Sequence, residues 1–125
     1  MNLRLTALRV LARWEAGDAY INLAIGRAAE ALPDADRRYL TALVYGTVEH
    51  KLTLDYAIGA LARRSDVSPA AKTILECGLY ELFYLRTPRH ATVNAWVELA
   101  GSRGEKSFIN GVLRAASALD ALPLP

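Results

Sequence analysis

The chain has few of the residues that build covalent cross-links or metal centres. It contains one cysteine, Cys77, and two histidines among 125 residues. A single cysteine excludes an internal disulfide and any metal site that needs several thiolates. The histidines, His50 and His90, are far apart in the sequence and form no H-E-x-x-H motif. The sequence therefore predicts neither a metal nor a cofactor.

The motifs of common catalytic sites are also missing. There is no G-x-x-x-x-G-K-[ST] phosphate loop and no G-x-G-x-x-G turn. Cys77 lies between Leu75 and Leu79 with no cation beside it, which is typical of an inert thiol in a helix. No pattern indicates a nucleophile activated by a base. We therefore predict that this chain is not an enzyme by itself.

Long apolar segments are absent as well. The N-terminal sequence carries a charge every few residues and lacks the apolar region of a signal peptide. No apolar run approaches the roughly 18–20 residues of a membrane span. With the single cysteine, this favours a soluble protein of the reducing cytoplasm that has no membrane partner.

Helical periodicity dominates what is present. Apolar residues make up 53% of the chain, and they recur at the i, i+3, i+4 spacing of amphipathic helices. No segment alternates with a period of two, so no strand is expected. We predict one all-α domain, residues 1–125, with about seven helices. The predicted helices are about Leu3–Glu15, Ile21–Ala31, a third that follows Asp34 and contains Gly46, Leu52–Ala62, Pro69–Leu85, His90–Ala100 and Lys106–Ala118.

Several residues predict how these helices begin and pack. Asp34 is a candidate N-cap, and Ser68 followed by Pro69 reads as an N-cap and first helical residue. Leu23 is expected to be buried in the second helix. Residues 63–67 are predicted to separate two subdomains, about 1–62 and 68–118. Residues 119–125 are expected to form an irregular tail.

Three glycines lie inside predicted helices, where each costs roughly 1 kcal/mol relative to alanine. They are Gly46, Gly78 and Gly111. Small residues let two helix backbones approach closely, so these glycines are predicted to mark helix crossings. They are then determinants of the fold and not of function.

The basic residues permit nucleic-acid binding without requiring it. Lysine and arginine number 15 against 13 acidic residues, a formal charge of +2. Arginines on one face of the first helix could follow a phosphate backbone, although their spacing alone favours an ordinary solvated face. Two further arginines lie at the start of the third helix, where their positive charge opposes the helix dipole. An anionic ligand or the neighbouring aspartates would neutralise this charge. The residues concerned are Arg4, Arg9, Arg13, Arg37 and Arg38.

Two further pairs carry structural or functional hypotheses. Tyr80 and Tyr84 are one turn apart and lie off the main apolar face. They form either a partner-facing stripe or the back of a helix that is buried on two sides. Asn94 and Asn110 each lie among apolar residues, so each amide is expected to join two helices or cap a neighbouring one.

Three motifs in this order and spacing resemble the NusB-like family. That family has two branches, the free-standing bacterial antitermination factors and the N-terminal RNA-binding domain of the ribosomal RNA cytosine-C5 methyltransferases known as Sun or Fmu. The resemblance covers about Leu3 to Ala116 and leans toward the methyltransferase branch. The family usually has a glutamate directly after the asparagine of the second motif. Here Ala95 follows Asn94, and the next residue, Trp96, is bulkier than usual. The motifs are LVYGTVEHKLTLD, ILECGLYELFYLRTPRHATVNAWVELA and KSFINGVLRAA.

The resemblance implies both a fold and partners. It implies a NusB-like bundle in which an N-terminal three-helix unit packs on a C-terminal four-helix unit. It also implies binding of ribosomal or ribosomal leader RNA through the first helix and the start of the third, where the five arginines lie. For free-standing members it implies a small-subunit ribosomal protein, NusE, as a partner on another surface. For the methyltransferase branch it implies a C-terminal catalytic domain.

Three functions stay open at this point. The first is a non-catalytic RNA-binding module like the methyltransferase N-terminal domain. The second is an antitermination factor that binds RNA together with a ribosomal protein. The third is a protein-interaction domain without RNA binding, for which Tyr80 and Tyr84 are the candidate surface.

Overall fold

The structure, a computed structural model, describes residues 1–18, 20–64 and 66–125. Within these ranges it contains seven α-helices and one π-helical segment, and no strand. This confirms the predicted all-α fold. None of the described helices has both the length and the apolar character needed to cross a membrane. The elements are α1 (Leu3–Glu15), α2 (Ile21–Ala29), α3 (Asp34–Glu49), α4 (Lys51–Ala62), α5 (Pro69–Tyr80), the π segment (Glu81–Leu85), α6 (Arg89–Val97) and α7 (Arg103–Ser117).

Side-chain caps fix the starts of two helices in the second half of the chain. The Ser68 hydroxyl accepts a hydrogen bond from the Ala71 N–H at 3.2 Å, and Pro69 is the first helical residue of α5, as predicted. The Ser102 hydroxyl caps α7 in the same way by accepting from the Glu105 N–H at 3.1 Å. Such caps satisfy N–H groups that the helix itself leaves without partners.

Some predicted details are wrong. Asp34 is the first residue of α3 and not its N-cap, because Pro33 precedes the helix and no side chain caps it. Leu23 is 59% exposed, whereas it was predicted to be buried. α7 begins at Arg103, three residues before the predicted Lys106, because the Ser102 hydroxyl caps the helix there.

α5 is the central element of the packing. It contacts α1, α3, α4, α6 and α7, and eight of its 12 residues are buried. Cys77, at its middle, is fully buried, and burial raises the pKa of the thiol. This agrees with the predicted inert cysteine.

The helices form two groups around one shared hydrophobic core. α1, α2 and α3 pack on one another, whereas α4 packs mainly on α5 and α7. α4 thus groups with the later helices. The division predicted in residues 63–67 stays a prediction, and Ser65 within it lies outside the described residues.

The three helix glycines differ in their surroundings. A Cβ on Gly46 would lie 1.9 Å from Tyr80 Cζ, so the tyrosine ring occupies the space that a side chain would need. A Cβ on Gly78 would lie 3.1 Å from the Leu113 methyl groups, where α5 crosses α7. Gly111 is exposed and has nothing within 4 Å, so the predicted crossing there is wrong. Nothing in the structure explains a glycine at position 111.

The C-terminal tail is held against the bundle. Arg89 donates hydrogen bonds to the carbonyl oxygens of Ser117 and, at 2.8 Å, Leu119. These carbonyls at the end of α7 have no helical partner, and a cation there also complements the helix dipole. Leu122 is buried, so the irregular tail contributes to the core.

Candidate nucleic-acid interface

Three arginines converge on a groove between α1 and α2. Arg9 and Arg13 lie one turn apart on α1, and Arg27 reaches the same place from α2. The cavity they line has a volume of about 360 Å³ and no carboxylate in its walls. None of the three forms an ion pair among the residues that the structure describes. We call this site the arginine groove (Arg9, Arg13, Arg27).

Aromatic and amide side chains lie next to the arginine groove. Arg13 and Arg27 also line a neighbouring cavity of about 600 Å³. Its walls include Trp14, Tyr20 and Asn22, and Tyr20 is 78% exposed. Asp18 is the acidic residue of this second cavity. Arginines beside exposed rings suit a single-stranded nucleic acid, whose phosphates and bases need different partners.

Arg4 does not share the exposed face of Arg9 and Arg13. Positions five residues apart are rotated by roughly 140° around an α-helix, whereas those four apart nearly overlap. The Arg4 guanidinium is turned inward and donates to Glu81 from Nε at 3.1 Å and from Nη2 at 2.5 Å. Arg4 therefore forms a structural ion pair with Glu81 that links α1 to the π segment.

Glu81 is the centre of a buried hydrogen-bond network. Its side chain is 0% exposed. Burial alone would raise the pKa of Glu81, but the donors around it, led by Arg4 and Tyr39, hold that pKa below its usual value. The donors are Arg4, the Tyr39 hydroxyl at 2.8 Å, the Thr87 hydroxyl at 2.9 Å and the Trp96 indole N–H at 3.0 Å. One carboxylate thus connects α1, α3, α6 and the turn that precedes α6.

The arginines at the start of α3 lie apart from the groove. Arg37 donates to the Leu32 carbonyl at 3.1 Å and pairs with Asp34 at 3.7 Å, so its own neighbours neutralise it. Arg38 is exposed on the outer side of α3. Neither lines the arginine groove. Of the five predicted arginines, the structure brings together Arg9 and Arg13.

The two remaining predicted pairs lie at the surface. Asn94 is exposed and Asn110 is half-buried. Asn94 of α6 joins two helices as predicted, because its side-chain oxygen accepts a hydrogen bond from Arg114 of α7 at 3.0 Å. Asn110 does not, since Arg114, which donates to its oxygen at 3.1 Å, lies one turn away on the same helix. Tyr80 is half-buried and Tyr84 is 39% exposed, so this end of the helix is not the back of a buried element.

Sequence reasoning missed Arg27 and Glu81. Arg27 follows a glycine in a short helix and has no basic neighbour at helical spacing, so only the packing of α2 on α1 reveals its role. Glu81 carried a usable signal, since it is an acidic residue within an otherwise apolar stretch of helix. A buried carboxylate requires partners, and Arg4 was available to supply one.

Comparison with solved structures defines the class of fold. The structure of NusB from T. maritima superposes with a TM-score of 0.81, and the match covers 97% of this chain and 91% of that one. Sequence identity in that match is 19%. The chain therefore has the NusB fold.

Sequence comparison gives the family. The model of the NusB family matches residues 1–118, so this chain belongs to the NusB family. It is 38% identical over 115 residues to a probable ribosomal RNA small subunit methyltransferase B of Bacillus subtilis, and 36% identical over 121 residues to the transcription antitermination protein NusB of Roseiflexus castenholzii. Both matches cover well over two thirds of this chain, 86% and 88%.

The relatives differ in length. The chain spans 26% of the Bacillus subtilis methyltransferase and 24% of a similar protein of Synechocystis, to which it is 41% identical. It spans 85% of the Roseiflexus castenholzii NusB. The matched region thus corresponds to about a quarter of one kind of relative and to most of the other.

Proposed function

We propose that this chain is a non-catalytic RNA-binding module of the kind found in ribosomal RNA methyltransferases. The observation that carries the proposal is the arginine groove, in which three arginines line one cavity that has no carboxylate in its walls. Phosphate oxygens are the natural ligands of such a site, because arginine donates paired hydrogen bonds to them and stays charged. In this proposal the phosphates lie on Arg9, Arg13 and Arg27.

The neighbouring cavity supports single-stranded RNA over a duplex. Tyr20 and Trp14 offer ring faces on which unpaired bases can stack, and the Asn22 amide can read a base edge. Bases in a duplex are already stacked and would not reach these rings. The phosphate and base contacts are thus assigned to adjacent parts of the α1–α2 surface.

Two versions of this function follow from the two kinds of relative. The identity to the methyltransferases of Bacillus subtilis and Synechocystis, 38% and 41%, favours a module that delivers RNA to a catalytic domain. The alternative is an antitermination factor that binds RNA beside a ribosomal protein, which the near-full-length match to NusB of Roseiflexus castenholzii supports. The third possibility, a protein-interaction domain, lacks RNA affinity.

Fluorescence anisotropy with a single-stranded ribosomal RNA fragment tests the proposal. We expect affinity to fall with rising salt, and each of Arg9→Ala, Arg13→Ala and Arg27→Ala to reduce the salt slope by about 0.7. Arg103→Ala, which removes an exposed arginine elsewhere, is the matched control and should leave the slope unchanged.

Two outcomes would contradict the proposal. The first is the absence of salt-dependent binding by a chain shown to be folded, which would favour the interaction domain. The second is equal loss of affinity in Arg103→Ala and Arg27→Ala, since a site-specific groove predicts a difference. If RNA binding is found at the arginine groove, adding a ribosomal protein or a methyltransferase domain to the same assay separates the two RNA-binding versions.

A further inference from the structure

A second surface, next to Gly46 of α3, contains two stacked tyrosines. The ring centroids of Tyr80 and Tyr84 are 5.0 Å apart and their planes differ by 12°. The His50 ring lies beside them, 4.3 Å from Tyr84 and 5.7 Å from Tyr80. Tyr84 is 39% exposed, so part of this side chain is accessible to a partner.

The backbone holds this ring pair in place. Gly46 has no side chain, and the tip of Tyr80 occupies the space left there. Tyr84 belongs to the π segment, whose i→i+5 hydrogen bonds widen the turn. Tyr80 is the last residue of α5, so the two stacked rings lie across the junction between the α-helix and the π segment. π segments of this kind occur frequently at functional sites.

The groups around the rings accept hydrogen bonds and carry negative charge. Glu49 is exposed and forms no ion pair within the described part of the chain. Glu49 lies one turn after Gly46 on α3, the position at which the tip of Tyr80 rests. In agreement with this placement, its charge, after burial, raises the pKa of the Tyr80 hydroxyl. His50 Nδ1 lies 3.0 Å from the Gly46 carbonyl and must donate to it, so in the neutral ring Nε2 is an acceptor.

Other rings of this protein already carry a cation. Arg4 lies over Tyr39 at 5.8 Å, Arg89 over Phe83 at 5.2 Å and Arg64 over Phe108 at 4.3 Å. Among the described residues no lysine or arginine lies over Tyr80 or Tyr84. The stacked pair thus combines a partly exposed tyrosine, a neighbouring carboxylate without an ion pair among the described residues, and no lysine or arginine of the described chain over either ring.

We propose that Glu49, His50, Tyr80 and Tyr84, the tyrosine site, bind an arginine side chain of a basic partner polypeptide. A guanidinium stacks on tyrosine and pairs with a carboxylate, and it does both better than a compact ammonium group. An RNA strand is disfavoured here, because the Glu49 carboxylate repels phosphate. This inference does not depend on the arginine groove, which attracts the opposite charge.

Binding of a labelled peptide tests the tyrosine site. The probe is a fluorescein-labelled decapeptide of alternating arginine and glycine, followed by anisotropy at about 150 mM salt to limit non-specific attraction. We expect Tyr84→Ala to weaken binding by about two- to fivefold, the usual range of an exposed cation–π contact. Glu49→Gln should weaken it as well, and the lysine version of the peptide should bind less tightly than the arginine version.

Matched variants keep the test specific. Tyr56→Ala removes a tyrosine of similar exposure, 46%, from α4, and Glu30→Gln removes an exposed acid from the end of α2. Both should leave peptide binding unchanged. Tyr84→Leu keeps an apolar side chain but removes the ring face, so it should behave like Tyr84→Ala. Circular dichroism establishes that each variant is folded.

Two results would overturn the inference. One is an equal effect of Tyr84→Ala and Tyr56→Ala on the peptide, which would mean that binding is not localised. The other is a loss of RNA affinity in Tyr84→Ala with no loss of peptide affinity, which would make the site a stacking platform for bases. Failure of the arginine groove would leave the peptide readout unchanged, so the two proposals fail separately.

Discussion

Two glutamates five residues apart are equally buried, but their pKa values are shifted in opposite directions. Glu76 on α5 is 1% exposed, and Glu81, the first residue of the π segment, is 0% exposed. The pKa of Glu81 is lowered, because four side chains donate to it. Burial and the neighbouring Asp55 raise the pKa of Glu76 to about 8, although Lys51 donates to it at 2.6 Å.

The contrast shows that donors, more than burial, decide whether a buried carboxyl is charged. Glu81 accepts hydrogen bonds from four side chains, one of them a guanidinium, whereas Glu76 faces a second carboxyl as well as Lys51. Asp55 Oδ1 is buried and accepts no hydrogen bond from another described residue. A protonated Glu76 could donate to this oxygen, which is one reason why Asp55 raises the pKa of Glu76. The Glu81 network therefore favours an ionised carboxylate, and the pairing with Asp55 favours a protonated Glu76.

Removing the Glu81 carboxylate should have the largest effect. We expect Glu81→Ala to lower the free energy of unfolding by about 3–5 kcal/mol, because Arg4 and the other donors lose their common acceptor. Urea denaturation followed by circular dichroism measures the change. Glu98→Ala, an exposed site, should change it by less than about 0.5 kcal/mol. Equal effects of the two variants would show that the network adds no stability.

The pH dependence of stability separates the two glutamates. Between its usual pKa of 4.5 and about 8, Glu76 binds more protons in the folded chain than in the unfolded chain. The free energy of unfolding should therefore fall as pH rises from about 5 to 8, by at most about 1.4 kcal/mol per pH unit. Glu81, with a lowered pKa, stabilises the fold above pH 4.5 and loses this effect as pH falls further.

Urea denaturation at several pH values between 5 and 8 tests this assignment. Glu76→Gln keeps a donor for Asp55 but cannot titrate, so its stability should be flatter over this range. Because the variant leaves both histidines in place, their contribution cancels in the comparison. An unchanged slope in Glu76→Gln would mean that Glu76 is not the titrating group.

Removing a single donor from Glu81 should have a smaller effect. Tyr39→Phe deletes the hydroxyl that lies 2.8 Å from the carboxylate and keeps the ring. We expect a loss of about 1.5 kcal/mol, as for a hydrogen bond to a charged group. The exposed Tyr56 is the control, and Tyr56→Phe should be neutral in the same denaturation measurement. A neutral Tyr39→Phe would mean that the other donors fully compensate.

The smallest effect is expected at the rim of the Glu76 pair. Lys72 lies 3.5 Å from Asp55, and its side chain is 43% exposed. Such pairs contribute less than about 1 kcal/mol and are screened by salt. Lys72→Ala should therefore destabilise the protein slightly at low salt and not at about 1 M salt. A loss that persists at high salt would indicate packing by the lysine chain instead of charge.

Most of the fold could be predicted from the sequence, because it depends on local signals. The periodic apolar residues of α1 predicted Leu3–Glu15 without error, and Ser68 with Pro69 predicted the start of α5. The π segment could not be predicted, since its residues continue the same apolar period as α5. Close packing against Gly46 was predicted from the sequence. Only the structure shows that the group packed there is a tyrosine side chain.

The candidate site was less accessible from the sequence. Arg9 and Arg13 share a face that helix geometry predicts, but Arg27 joins them only through the packing of α2 on α1. Arg4 carries the same charge as its neighbours in α1, and its different role depends on a glutamate far along the chain. A charge pattern shows which residues are available, whereas tertiary contacts decide which of them remain free.

The link from Arg4 to Glu81 also bears on how the chain folds while it is being synthesised. The two residues are separated by 77 positions. At the usual rate of translation, the ribosome needs about 4–15 s to make the intervening segment. During this time α1 has no buried acceptor for its arginine and exposes the apolar side that faces α5. We therefore expect the nascent N-terminal helices to be vulnerable to proteases or dependent on chaperones until residue 81 has emerged.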